Sequence, residues 1–232
     1  MKLFIHIPKN GGMTIRKIDG IQNKVMFCSH GNHISMDYTK RLEGKMHSTN
    51  DHQGYEHARW RDWSERLRNE HRAFAIVRNP WDRVVSRYLF AKKVILHEGT
   101  QPPSYADISS NEAFLEERHK WGSEEFFWHR AIRGWYPAFD HVSDEKGEEV
   151  KCDILRFEHY NEDTKPYLGL LQNPNPRNVT RVVNDNGRTG YGTSYKDIYT
   201  KETIQIIADW YKKDIDYWGF DFDTSATRNY WK

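Results

Sequence analysis

Cysteine, long apolar runs and an excess of charge of either sign are all scarce in this chain of 232 residues. Its two cysteines, Cys28 and Cys152, exclude a framework of disulfide bonds and fit a reducing compartment. No stretch approaches the roughly 20 apolar residues of a membrane span, and the N-terminus lacks the pattern of a signal peptide. The net charge of +2 is too small to indicate a nucleic-acid-binding protein. We therefore expect a cytoplasmic, soluble protein that binds neither membranes nor nucleic acids.

Apolar strand patterns alternate with amphipathic helix patterns along the chain, which predicts an α/β sheet with a mostly parallel centre. Turn-rich residues between two apolar stretches also predict a hairpin, and the length suits one domain over residues 1–232. The predicted strands cover 2–7, 25–28, 73–77, 139–142 and 149–157. The predicted helices cover 13–19, 55–68, 80–93, 123–134 and 201–218, and a polar loop covers 99–110.

The first segment with a chemical signal is 4–14, where a buried strand runs through a turn with two glycines into a helix. Backbone N–H groups at such a turn point to one spot, and the helix N-terminus favours an anion there. Lys9 adds a full positive charge, and Thr14 adds a hydroxyl. Lys9 precedes the glycines, so this is not the Walker A pattern, and no metal site is predicted. The alternative is an ordinary strand-to-helix turn with a surface lysine.

The second such segment is 73–88, which repeats the strand, turn and helix order. Arg78 follows the strand, at the edge where open α/β sheets bind ligands, and Asn79 with Pro80 begins the helix. Ser86 lies about two helical turns beyond Arg78, and a guanidinium with a hydroxyl suits a phosphate monoester. Four further residues are interpreted as structural, solvated or paired: Trp81, Asp82, Arg83 and Arg87.

Together these segments resemble the two nucleotide-binding motifs of sulfotransferases that use 3′-phosphoadenosine-5′-phosphosulfate (PAPS). Pro-Lys-Asn-Gly-Gly-Met-Thr is similar to their 5′-phosphosulfate loop, and Arg-Asn-Pro-Trp-Asp-Arg-Val-Val-Ser-Arg-Tyr to their 3′-phosphate motif. The branch it resembles is the carbohydrate one, with the heparan 2-O and chondroitin sulfotransferases. Ile-Leu-Arg-Phe-Glu-His-Tyr and the C-terminal Trp-Gly-Phe-Asp-Phe extend the likeness weakly, whereas 99–135 falls outside it.

The resemblance implies a single P-loop-type domain with helices on both faces of the sheet. It implies that Lys9 contacts the bridging oxygen of the phosphosulfate, and that the backbone of Asn10, Gly11, Gly12, Met13 and Thr14 holds the phosphate. Arg78 and Ser86 would bind the 3′-phosphate. Independently of the resemblance, Arg188 lies in a loop rich in glycine and arginine, 184–195, and is predicted to close over the nucleotide. Met13 stands where the family often has a small hydroxylated residue, which leaves Thr14 as the side-chain donor.

Sulfuryl transfer to a hydroxyl calls for a general base, and histidine has the suitable pKa. The segment Cys-Ser-His-Gly-Asn-His-Ile-Ser resembles the His-Gly-His-Val-Ser loop of the heparan 2-O enzymes, with one residue inserted. Matching from the Ile-Ser end assigns His33 as the base and His30 as a supporting or acceptor-binding group. His30 as the base, an unrecognised glutamate, or no base at all stay open as alternatives. His6 is interpreted as a buried core residue, and Arg156 and Glu158 either support the pocket or form a salt bridge.

We expect direct in-line transfer from PAPS to a hydroxyl of an acceptor, with PAP as product and no metal. The resemblance implies that this acceptor is a carbohydrate. One alternative is a P-loop-type nucleoside or sugar kinase that uses ATP. Another is a catalytically inactive nucleotide-binding module.

Overall fold

The computed structural model describes residues 1–35, 55–97, 136–174 and 194–231, and the strands within them form one sheet. These strands are β1 (Lys2–Ile5), β2 (Val25–Phe27), β3 (Ala73–Val77) and β4 (Cys152–Arg156), in the spatial order β2-β1-β3-β4. Each neighbouring pair is parallel, with Leu3 opposite Ala73 and Ala73 opposite Cys152. The predicted α/β class with a parallel centre is confirmed.

Helices cover both faces of the sheet, because successive strand residues point to opposite sides. The helices in the described ranges are α1 (Gly12–Arg16), α2 (Glu65–Glu70), α3 (Pro80–His97), α4 (Ala138–Val142), α5 (Tyr160–Leu168), α6 (Lys201–Trp210) and α7 (Lys212–Trp218). Leu3 and Ile5 of β1 belong to a core cluster that includes residues of α3, α4, α6 and α7. Phe4 belongs to a second cluster, formed with residues of α1 and α5. None of these helices is both long and apolar enough to cross a lipid bilayer.

The predicted hairpin is wrong. Residues 139–142 lie in α4, where the backbone N–H groups of Ala138 and Phe139 donate to the Asp214 carboxylate at 2.7 and 2.8 Å. The second stretch forms β4, which pairs in parallel with β3 rather than with its neighbour along the chain. A single antiparallel bridge between Ser143 and Val150 joins the two stretches.

The predicted helix over 55–68 is also wrong. The structure has short 3-10 turns at Tyr55–His57 and Trp60–Asp62, and α2 begins only at Glu65. Trp63 is extended and fully buried, and it forms a bridge with Ile34. Burial of this large ring and its pairing with a distant segment override the local helical pattern.

Other predicted bounds shift by a few residues. The C-terminal helix is interrupted at Tyr211, so α6 and α7 replace one continuous helix, and Gly219 ends α7 with φ +72° as expected. The predictions for 99–110 and 123–134 lie outside the described residues.

Candidate active site

The polar residues singled out in the sequence meet at the carboxyl edge of the sheet. The chain passes from β1 to β2 on one side and places β3 on the other side of β1, so the strand order reverses between β1 and β3. Ligands of open α/β sheets bind at such a switch point. Residues 6–12, here called the β1 loop, and residues 78–82, here called the β3 segment, follow these two strands.

The β1 loop and the β3 segment are in direct contact. Arg78 Nη1 donates to the Lys9 carbonyl oxygen at 2.8 Å. Asn10 is buried, and its side-chain amide donates to the Ile76 carbonyl of β3 at 2.7 Å. The structure therefore brings Lys9 and Arg78 to the same side of the molecule, as a shared ligand would require.

Left-handed backbone shapes the β1 loop. Lys9 has φ +65° and Gly11 has φ +82°, and α1 begins directly after Gly11. Residues other than glycine are rare in the left-handed region, so the surroundings of Lys9 must hold its backbone in that conformation. The predicted helix over 13–19 is shortened to Gly12–Arg16, and a helix of one turn adds little macrodipole. The half-buried Lys9 supplies the charge of the loop.

Both glycines of the β1 loop are packed against aromatic rings. A Cβ on Gly11 would lie 2.6 Å from a ring carbon of Tyr160 and 3.1 Å from one of Phe157. A Cβ on Gly12 would lie 2.1 Å from the His6 ring. Glycine is thus required at both positions by close approach, and at Gly11 by backbone conformation as well.

Two other predicted loop residues differ in exposure. Met13 is exposed, whereas Thr14 is half-buried, and its backbone N–H donates to the Gly11 carbonyl at 2.9 Å. Burial raises the pKa of the neighbouring Tyr160 hydroxyl, and a hydrogen bond with the Thr14 side chain opposes that rise.

Arg78 is buried in a network of charge and aromatic contacts. Only 1% of its surface is exposed, and its Nε donates to Asp82 Oδ2 at 2.7 Å. The guanidinium lies 4.0 Å from the centroid of the Phe157 ring. A 3′-phosphate would have to gain access to this covered guanidinium. Ser86 is half-buried on α3, one turn beyond Asp82.

The start of α3 is capped as predicted. The Asn79 side-chain oxygen accepts from the Trp81 backbone N–H at 3.0 Å, and its amide donates to the Asp221 and Thr224 carbonyls. Trp81 is buried as a packing residue and donates to the Ile204 carbonyl.

The two arginines in the first half of α3, Arg83 and Arg87, are buried. Arg83 is buried and donates to the Pro8 and Tyr136 carbonyls at 3.2 and 3.1 Å, and Arg87 is buried too. Arg83 therefore supports the residue that precedes Lys9. Of the two predicted alternatives, solvated or paired, the structure shows the second for Arg83, because this face of α3 is directed into the core.

The segment after β4 contributes Phe157, which the sequence did not assign, and Glu158, which it named as a possible support of the pocket. Phe157 contacts both Gly11 and Arg78, and Glu158 accepts from the Asn79 backbone N–H at 2.7 Å. Loss of hydration raises the pKa of Glu158. Arg156 instead forms a salt bridge with Asp163 at 2.7 Å, the structural alternative. Only the Arg-Phe-Glu likeness pointed to this segment.

His33 ends a 3-10 turn (Gly31–His33) that follows β2 at the same edge of the sheet, and His30 directly precedes this turn. Their ring centroids are 3.9 Å apart, and the half-buried His33 stacks on Trp63 at 5.8 Å. Burial lowers the pKa of His33, the nearby His30 lowers it further, and a hydrogen bond to the Phe27 backbone opposes them. The ring is therefore neutral near pH 7, as a general base must be.

Three further histidines are buried near the β1 loop. His6 lies just beyond β1 and packs below Gly12, and His57 Nδ1 donates to the His6 carbonyl at 2.9 Å. Burial lowers the pKa of His57, and that of the fully buried His141 by more. The core position predicted for His6 is confirmed. No spacing in the sequence groups His57 with His6, which lies 51 positions away.

Arg188 lies outside the described residues. Within the described ranges, no three His, Cys, Asp or Glu side chains are grouped as metal ligands would be.

Comparison with protein-family models matches residues 3–221 to the sulfotransferase family. A comparison with curated proteins finds no significant match, and neither does one with solved structures. The match includes both basic segments and the strands that carry them. The chain belongs to the sulfotransferase family.

Proposed function

We propose that this sulfotransferase uses PAPS to sulfate a hydroxyl group of a carbohydrate, by direct in-line transfer with His33 as general base. Family membership implies sulfuryl transfer to a hydroxyl-bearing acceptor and PAPS as the sulfate donor. The observation that supports the assignment of the site is the hydrogen bond from Arg78 to the Lys9 carbonyl. It brings the cations proposed for the two ends of one bisphosphate nucleotide to adjacent strand ends.

The residues of the β1 loop fit the 5′ end of PAPS. The glycines leave no side chain beside the loop backbone, and Lys9 places a positive charge there. When bound, PAPS supplies an activated sulfuryl group on a phosphate leaving group. The Lys9 ammonium would stabilise the negative charge that develops on that phosphate, and Asn10 to Thr14 would bind it through their backbone.

Arg78 and Ser86 are proposed to hold the 3′-phosphate. Asp82 orients the guanidinium through Nε, and Phe157 covers one of its faces. A charge-assisted bond from a preoriented arginine is stronger than one between neutral groups. Recognition of this phosphate would separate PAPS from ATP, which has none at that position.

His33 is proposed to take the proton of the acceptor hydroxyl, with His30 as a supporting group. Its lowered pKa keeps the ring neutral, and stacking on Trp63 limits its orientation. A positioned base contributes about 10²–10⁴-fold in rate. We therefore expect His33→Ala to lose about 10²-fold in kcat while binding of PAP is unchanged.

Calorimetric titrations with PAP and with ATP plus Mg²⁺ test the nucleotide assignment. We expect PAP to bind at least about tenfold more tightly, a difference of about 1.4 kcal/mol. Tighter binding of ATP with Mg²⁺ would contradict the proposal and favour a kinase.

Transfer of radiolabelled sulfate from PAPS to a panel of acceptors tests the class of acceptor and the role of His33. The panel holds saccharides, small alcohols, lipids and tyrosine peptides, with His33→Ala as the control. Labelled saccharide that depends on His33 supports the proposal. Label on a peptide, lipid or small alcohol alone would contradict the carbohydrate acceptor, and PAP binding without any transfer would indicate an inactive module.

A further inference from the structure

Tyr160, the first residue of α5, packs against Gly11 of the β1 loop. Its side chain is 3% exposed, and its hydroxyl donates to the Gly11 carbonyl oxygen at 2.8 Å. Its ring contacts the position where Gly11 would carry a side chain. Tyr160 lies 149 positions from Gly11 in the sequence, so no local pattern indicates this contact.

The hydrogen bond fixes the orientation of a peptide group. In a trans peptide the C=O and the following N–H point in opposite directions. Gly11 directs its carbonyl inward, to the Tyr160 hydroxyl and to the Thr14 backbone N–H at 2.9 Å. The N–H of Gly12 consequently points away from Tyr160.

The other side of the same peptide is also constrained. Gly12 packs against the His6 ring and Gly11 against the Tyr160 ring, so a ring lies close to each of the two residues that this peptide joins. Phe157, three residues before Tyr160, contacts Gly11 and the Arg78 guanidinium. One short segment after β4 therefore touches both of the proposed phosphate-binding elements.

We propose that Tyr160 is a positioning residue for the nucleotide, whose hydroxyl holds the Gly11–Gly12 peptide with the Gly12 N–H directed to the 5′-phosphate. This inference rests on the proposed function. Tyr160 itself touches neither the nucleotide nor the acceptor. It acts by removing the need to order the loop when the nucleotide binds, which is the general benefit of preorganisation.

Tyr160→Phe tests the inference, because it keeps the ring and removes only the hydroxyl. Tyr167→Phe is the matched control: Tyr167 is a buried tyrosine of the same helix, and its hydroxyl donates to Asp153 Oδ2 at 2.6 Å, near the opposite end of β4. Tyr160→Phe removes the bonds of the hydroxyl to the Gly11 carbonyl and to the Thr14 side chain. Tyr167→Phe removes the bond to the Asp153 carboxylate, and we expect both variants to decrease thermal stability. Only Tyr160→Phe should raise the Kd for PAP, by about tenfold, and the KM for PAPS, with the acceptor KM unchanged.

Amide hydrogen exchange on the wild-type chain gives a second measurement that does not depend on the folding of a variant. We expect PAP to slow exchange at the Gly12 amide. Binding of PAP without protection of Gly12, or a Kd that is the same in Tyr160→Phe and Tyr167→Phe, would overturn the inference while leaving the proposed function intact. A wild-type chain that binds no PAP would overturn both.

Discussion

The β1 loop and the β3 segment lie side by side, yet they are held by different kinds of contact. The β1 loop depends on backbone shape: left-handed conformations at Lys9 and Gly11, and a Gly11 carbonyl bound by Tyr160. The β3 segment depends on buried charge, with Arg78 covered and paired to Asp82.

This difference separates the chemical from the structural role of each cation. Lys9 is half-buried at the loop surface, so its charge contributes little to the fold. Arg78 is enclosed, and a buried charge that loses its partner is strongly destabilising. Changes in the β1 loop should affect turnover or loop shape, whereas changes in the β3 segment should affect stability first.

The largest expected effect is that of Asp82→Asn. It leaves the Arg78 guanidinium buried without its carboxylate, and we expect a loss of about 3–5 kcal/mol in the free energy of unfolding, measured with urea. The control is Glu70→Gln, which breaks the exposed pair with Arg66, whose side chains are 48% and 69% exposed. That pair should contribute no more than about 0.5 kcal/mol. Equal losses of unfolding free energy in the two variants would show that the buried ion pair stabilises the fold no more than the exposed one.

Lys9→Met should separate turnover from stability. We expect kcat to fall by about 10²–10³-fold, since one preorganised charge at the leaving group is lost. The midpoint of thermal unfolding should change by no more than about 2 °C, as for a surface substitution. Lys17→Met removes an exposed lysine next to α1 and should change neither quantity. A large loss of stability in Lys9→Met would show that this loop is held by charge after all.

Gly11→Ala probes the dependence of the β1 loop on shape. The new Cβ meets Tyr160 at 2.6 Å and forces alanine into a left-handed conformation. The left-handed backbone and the overpacking together should cost about 2–4 kcal/mol in the free energy of unfolding. Gly20→Ala shares the left-handed backbone, with φ +69°, but its nearest neighbour is 4.0 Å away, so we expect only about 1 kcal/mol. Similar losses would mean that packing against Tyr160 is not important.

Local signals explain what the sequence predicted well. Compact apolar stretches identified β1, β2 and β3, and Asn79 with Pro80 identified the start of α3. The rule that parallel strands end at one edge placed Lys9 and Arg78 together, and the hydrogen bond between them agrees.

Contacts between distant segments explain what the sequence did not predict. Tyr160 contacts Gly11 across 149 positions of sequence, so no local pattern predicts that contact. The errors over 55–68 and 139–142 have the same origin, since Trp63 and Asp214 impose structure through partners far along the chain.

The smallest expected effect concerns His33, in the turn after β2. The rings of His30 and Trp63 pack against it, whereas backbone shape holds the β1 loop and buried charge holds the β3 segment. Burial and the neighbouring His30 lower the pKa of His33 from its usual value of 6.5, and the base acts when neutral. The acid limb of kcat/KM should therefore have its midpoint below pH 6.5. In His30→Gln the repulsion from His30 is lost, the pKa of His33 rises, and activity is lost at a higher pH than in the wild type. Burial, the larger cause, persists, so the midpoint of the acid limb should stay below pH 6.5.

His71→Gln, at the amino end of β3, is the control and should leave the acid limb of the pH profile unchanged. A limb that stays unchanged or moves to lower pH in His30→Gln would contradict the assignment of His33 as the base.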